Sequence, residues 1–196
     1  MDIRAVFPNA GGMREPLIPQ LDAEEFLHWE ARQPEKFELH HGFIMAFAGG
    51  TFAHNKITNN VRIALDRAYP PPCETFSSDV KVGVGEKSFF YPDVGVVCDH
   101  VPDDATVVTA PILVCEILSE GTRSNDLVEK RAAYRSLPSL RIYLIVHTRL
   151  RRVELDSRGP NGKWTTSFVE AGSIAVGRTQ IDLDEIYART EIGATT

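Results

Sequence analysis

Residues Pro111–Lys130 read PILVCEILSEGTRSNDLVEK, and this stretch decides the fold. Ile112, Leu113, Val114, Cys115, Ile117 and Leu118 are apolar without polar alternation. A run of that length, followed by turn residues, is the pattern of a central strand covered on both faces. Glu116 lies in the middle of it. A carboxylate taken out of water is costly unless a cation or hydrogen-bond donors compensate. Glu116 therefore requires a base, a set of donors or a metal ion beside it. From Ser124 the chain reads as a helix to about residue 136. Ser124 or Asn125 serves as its cap, Pro138 stops it, and Asp126 and Lys130 stand one turn apart.

On the N-terminal side, Asp79–Val84 (DVKVGV) alternates and predicts a half-exposed strand. Phe89–Cys98 (FFYPDVGVVC) predicts one strand region, with Pro92 near its entrance and Asp93 at the start of its apolar part. Asp99–Ala110 reads as a polar loop. Further back, Ile57, Val61, Ala64 or Leu65, and Ala68 recur at helical spacing, predicting a helix over 52–69 that follows a Gly49-Gly50 break. Lys36–His40 and Phe43–Ala48 form a hairpin about His41-Gly42, with Glu38 in its first strand. Asp22 caps a short helix, and residues 1–20, with three prolines, read as an extended arm. On the C-terminal side, Arg141–His147 is a further strand. Residues 153–155, 164–169 and 174–176 form a meander with an Asn161-Gly162 turn, and 182–187 a last short helix. The architecture predicted is α/β (α+β): a mixed sheet flanked by helices, in one domain over residues 21–190.

Composition bounds the function. The 196-residue chain carries a formal charge of −6, which argues against a protein that coats nucleic acid non-specifically. The charge is uneven. Residues 1–120 hold 9 Lys/Arg against 18 Asp/Glu, and residues 121–163 hold 10 against 4, with Arg149, Arg151 and Arg152 close together. That basic region is either a phosphate-facing surface or a solvated hairpin face, and charge alone favours the second. No apolar segment is long enough to span a bilayer, and the N-terminus lacks a signal-peptide layout, so a cytoplasmic location is expected. Cys73, Cys98 and Cys115 form no metal-binding spacing. Cys98 and Cys115 read as small buried hydrophobes carrying free thiols, and Cys73 is uninformative.

Asp93 and Glu116 each sit in an apolar run, on strands expected to be neighbours. Two such carboxylates suit a hard divalent cation, Mg²⁺ or Mn²⁺, with the Ile117 carbonyl completing the ligand set. Such a cation acidifies water and neutralises charge on a phosphodiester. Lys130, on the helix that starts past the end of the Glu116 strand, is the candidate ammonium for the transition state. Each residue also has a plainer reading. Asp93 can cap a turn, Glu116 can pair with Arg123 or Lys130, and Lys130 can pair with Asp126. Glu38 can be an exposed strand residue and His54 a structural histidine.

Three segments carry a family resemblance: FELHHGFIMAFAGGTFAHNKI (37–57), YPDVGVVC (91–98) and the run from Pro111 to Val146. Together they resemble the Uma-type family of "putative restriction endonucleases", within the PD-(D/E)XK nuclease superfamily. The similarity runs from about Leu21 to Tyr187. It implies a restriction-endonuclease-like fold, Mg²⁺- or Mn²⁺-dependent cleavage of DNA, and a homodimer. It matches Pro92-Asp93 to the family's PD, Glu116 to its second acid, and Glu38 and His54 to its early acid and histidine, with Glu38 a catalytic carboxylate that supports the metal from outside or binds a second one. His54 and Arg123 are then substrate contacts. Leu118 stands where the superfamily motif has lysine, and Lys130 on the next helix takes that role. The alternative is a catalytically inactive nucleic-acid-binding or assembly module that retains the fold.

Overall fold

The computed structural model describes residues 20–46, 50–118 and 124–192, with backbone alone at 124–126. In chain order the elements are α1 (Ala23–Glu30), β1 (Phe37–His40), β2 (Phe43–Ala46), α2 (Phe52–Ala68), β3 (Glu74–Ser77), β4 (Lys81–Val84), β5 (Ser88–Phe90) and β6 (Val94–Val97). There follow β7 (Val107–Val108), β8 (Leu113–Leu118), α3 (Ser124–Ser136), β9 (Ile142–His147), β10 (Val153–Arg158), β11 (Trp164–Val169), β12 (Ser173–Val176), β13 (Thr179–Asp182) and α4 (Leu183–Ile186).

The quoted apolar run is the central strand β8, and its lack of alternation has a direct cause. In the six-stranded sheet β11-β10-β9-β8-β6-β3 it lies antiparallel to β6 and parallel to β9. Leu113, Cys115 and Ile117 pack with Ile57, Val61, Ala64 and Leu65 of α2 on one face. Val114 packs with Ala133, Tyr134 and Leu137 of the α3 region on the other. Glu116 shares the second face by period-two alternation. The parallel β8–β9 pair is joined through α3, as a crossover requires.

A five-stranded sheet, β2-β1-β5-β4-β7, stands apart, with α1 over it. Phe26 and Trp29 of α1 close on Leu39 and Phe89, forming a third core. The Asp22 cap is a full capping box: the Glu25 amide donates to the Asp22 carboxylate at 2.9 Å and the Asp22 amide to Glu25 at 3.1 Å. The β12–β13 hairpin forms a small sheet of its own, so the expected meander stops at β11.

Several expectations need correction. Phe89–Cys98 is not one strand: β5 and β6 belong to different sheets, broken at Tyr91-Pro92-Asp93. Pro92 cannot donate to a ladder and restricts the residue before it, so the chain crosses between sheets there and leaves Asp93 at the junction. β4 is fully buried rather than half exposed, because Glu30 and Tyr91 neutralise and bind the Lys81 ammonium at 2.9 Å each. The 99–110 loop contains β7, which pairs with β4, and β3 was not expected at all. Cys98 is not a free thiol. It is disulfide-bonded to Cys73, the two residues bracketing the Glu74–Val97 pair, while Cys115 is free and buried. Nearly all of the expected arm over 1–20 lies outside the described residues. Among those described, no helix is long and apolar enough to cross a membrane.

Gly95, two residues after Asp93, lies under the ring of its cross-strand partner Phe76. A Cβ there would stand 2.2 Å from Phe76 Cζ and 2.6 Å from Cε1. Gly95→Ala must expel that ring from the β3–β6 face, and is expected to cost about 2–3 kcal/mol in urea unfolding. An unchanged midpoint would show that the ring relocates freely.

Candidate functional site

The end of β8, the junction before β6, the first turn of α2 and the middle of α3 converge on one buried polar cluster. The β6–β8 ladder pairs Val94 with Cys115, and one further step places Asp93 opposite Glu116. The adjacency expected from sequence is therefore present. Asp93 is buried, and both its oxygens are engaged. Oδ2 accepts the Ile117 amide at 2.7 Å, and Oδ1 lies 3.1 Å from His54 Nε2.

His54 reaches this point because Thr51 caps α2 one turn earlier, its hydroxyl accepting the His54 amide at 3.2 Å. The Ile117 carbonyl also favours the charged imidazole. Burial pulls its pKa down, but the Asp93 carboxylate and that carbonyl outweigh burial and leave it raised. The His54 ring therefore stands against the Asp93 carboxylate, one of the oxygen donors expected to meet a cation.

Glu116 is the perturbed acid of the cluster. Burial pushes its carboxyl up to about 8, and Asp93 and Glu38 push the same way. The Lys130 ammonium and the Tyr134 hydroxyl act against that rise, Tyr134 donating to Oε1 at 3.0 Å. Lys130 Nζ stands 3.8 Å from Glu116 Oε1 and donates to Glu38 Oε1 at 2.8 Å. Glu38 is buried, contrary to the exposed reading. Burial raises its pKa, yet His40, Lys130 and the Tyr91 amide reverse the balance and leave it lowered. Two buried carboxylates thus differ: Glu38 is held ionised, whereas Glu116 is driven toward its protonated form.

Leu118, at the usual motif position, packs on the α3-side core, so an ammonium there would face apolar groups. Lys130 brings the charge from the helix instead. Arg123 lies outside the described residues. Tyr134 and His40 escaped the sequence reading as polar partners. Their signals were spacing, Tyr134 at i+4 from Lys130 on a helix and His40 at i+2 from Glu38 on a strand.

The donor set suits a hard cation that keeps part of its water. It offers two carboxylates, Asp93 and Glu116, and the Ile117 carbonyl, all oxygen. Among the described residues no group of three or more His, Cys, Asp or Glu side chains is arranged to hold a metal ion by itself. The basic hairpin is largely self-neutralised: Arg151 pairs with Asp184, and Arg152 Nε donates to Glu170 at 2.8 Å.

Known proteins resemble the chain in sequence and in fold. The model of the Uma2 family, described as "Putative restriction endonuclease", matches residues 23–181. Two uncharacterized proteins of Synechocystis sp. are similar to the chain. One is 35% identical over 152 residues, covering 75% of this chain and 79% of that protein. The other is 33% identical over 153 residues, covering 74% and 84%. The fold is shared with the crystal structure of a "putative nuclease belonging to DUF820" from Anabaena variabilis. The TM-score is 0.69 at 14% identity, over 85% of this chain and 97% of that one.

Proposed function

The chain belongs to the Uma2 family of restriction-endonuclease-like proteins, and from that premise we propose that it is a metal-dependent endonuclease hydrolysing DNA phosphodiester bonds. The observation that carries this reading is the apposition of Asp93 and Glu116 with a part-buried ammonium, Lys130, 3.8 Å from the Glu116 carboxylate. Asp93, Glu116 and the Ile117 carbonyl would hold Mg²⁺ or Mn²⁺, which supplies an acidified water and neutralises charge on the phosphate. Lys130 presents a fixed positive charge to the phosphate oxygens as negative charge grows on them. Tyr134 fixes one oxygen of Glu116, so that its carboxyl does not rotate. His54 contacts substrate once it leaves Asp93. The sequence resemblance supports duplex DNA as substrate and a homodimer as the assembly.

The test is cleavage of supercoiled plasmid with Mg²⁺ or Mn²⁺, wild type against Asp93→Asn. The substitution is expected to lower the rate by about 10³-fold or more, with the unfolding midpoint close to wild type. Full activity in the variant would remove Asp93 from the mechanism. One observation favours a second reading, a binding or assembly module without turnover. Both oxygens of Asp93 are already satisfied by protein donors. Metal-independent DNA binding with no cleavage of any duplex would establish it.

A further inference from the structure

Glu38 is better equipped to aim Lys130 than to bind a cation. It lies on β1, in the sheet that does not contain Asp93 or Glu116, and its carboxylate receives donors from three separate parts of the chain. Oε1 accepts the Tyr91 amide at 2.9 Å and Lys130 Nζ at 2.8 Å. Oε2 meets His40 Nε2 at 3.0 Å. Alternation along β1 puts His40 on the same face as Glu38, and both are buried. The His40 ring stands edge-on to Phe90, with centroids 4.8 Å apart at 83°. Lys130 Nζ lies 5.6 Å over that same ring. One aromatic ring thus touches both ends of the His40–Glu38–Lys130 chain. Glu38 meets three donors, one of them an ammonium, against two on Asp93, so a cation at Glu38 would have to displace more buried hydrogen bonds and stand against the Lys130 charge.

We propose that Glu38 and His40 form a positioning pair that holds the Lys130 ammonium against Glu116, and that Glu38 is not a cation ligand, so the site takes one cation. The proposal rests on the endonuclease reading for its catalytic consequence alone; the placement of Lys130 stands independently of it. His40 then works through Glu38. Removing its donor lets the Glu38 carboxylate turn and Lys130 follow.

The experiment combines two readouts on the full chain. In ¹³C-lysine-labelled protein, the Lys130 ε resonance, assigned by its loss in Lys130→Arg, should carry an upfield displacement from the Phe90 ring. That displacement should disappear in His40→Phe and Glu38→Gln and return in His40→Gln, whose amide can donate in place of Nε2. Calorimetry with Mn²⁺ alone should give one ion per chain in the wild type and still one in both Glu38→Gln and His40→Phe. Plasmid cleavage should fall about 10²-fold in His40→Phe, the usual cost of misplacing a group by about 1 Å, and recover in His40→Gln. An unmoved Lys130 resonance in folded His40→Phe would overturn the positioning role. Two Mn²⁺ per chain, reduced to one by Glu38→Gln, would overturn the single-cation site. A wild type that neither binds Mn²⁺ nor cleaves would sink the endonuclease reading, and the resonance would still decide whether the pair places Lys130.

Discussion

Glu116→Gln is expected to abolish cleavage and, in the metal-free protein, to raise stability by several kcal/mol above pH 8. The two effects share one cause. Glu116 is buried, with a carboxyl pushed up to about 8 first by burial and then by Asp93 and Glu38. In the unfolded chain the same group titrates near 4.5. Between pH 4.5 and 8 the folded state therefore keeps a proton that the unfolded state has released. Stability falls as pH rises through that window, and the whole penalty is present above it. Glutamine removes the titration, while its carbonyl still accepts the Tyr134 hydroxyl now found at 3.0 Å. Lys130 keeps its 2.8 Å bond to Glu38. Urea unfolding in EDTA at pH 5, 7 and 9 should show the variant and wild type close at pH 5 and increasingly apart above it. Parallel pH profiles would mean that Glu116 is relieved by some other group and is not held at a cost. An acid kept in place against its own stability is what a cation-dependent site requires.

Much of this site could be read from particular residues before any coordinates. Glu116 declared itself by polarity alone, a lone acid in an apolar strand. Lys130 followed from a helix returning from that strand end. The helical spacing of Ile57, Val61 and Leu65 gave α2 its buried stripe, which packs against β8. Other features depend on long-range pairing, which local pattern does not carry. Nothing near Lys36–His40 says that Glu38 belongs beside Lys130, 92 residues away. Lys81 gave its segment a polar alternation because its partner, Glu30, lies 51 residues earlier. The break between β5 and β6 was signalled by Pro92, yet the apolar residues on both sides outweighed it in a periodicity reading. The Cys73–Cys98 bridge depended on β3, a strand whose sequence, Glu-Thr-Phe-Ser, offers little apolar pattern.

The placement of Lys130 also depends on how α3 is fastened, and this leads to the second large effect. Asp156→Ala is expected to destabilise the fold by about 3–4 kcal/mol. Asp156 is fully buried on β10, and Arg131, the residue after Lys130, reaches it with two bonds, Nε to Oδ2 at 2.7 Å and Nη2 to Oδ1 at 2.6 Å. Arg131 Nη1 also donates to Glu154 at 2.8 Å, and the Thr166 hydroxyl donates to Asp156 Oδ1 at 2.6 Å. Burial raises the Asp156 pKa, but Arg131 and Thr166 more than reverse it, so the group is held below its ordinary value. A depressed acid contributes stability above its unfolded pKa, and that contribution is lost as pH falls through the folded one. The loss on truncation comes mainly from the partners left behind, a part-buried guanidinium and the Thr166 hydroxyl. Removing both charges should therefore cost less. Arg131→Met with Asp156→Leu is expected to be more stable than Asp156→Ala alone, and a double-mutant cycle on Arg131 and Asp156 should return a coupling energy above about 1.5 kcal/mol. Additive single effects would mean that α3 is held by its apolar face, through Ala133, Tyr134 and Leu137, and that the ion pair merely accompanies it. Strong coupling would make Arg131 the anchor that fixes the height of Lys130 above the sheet.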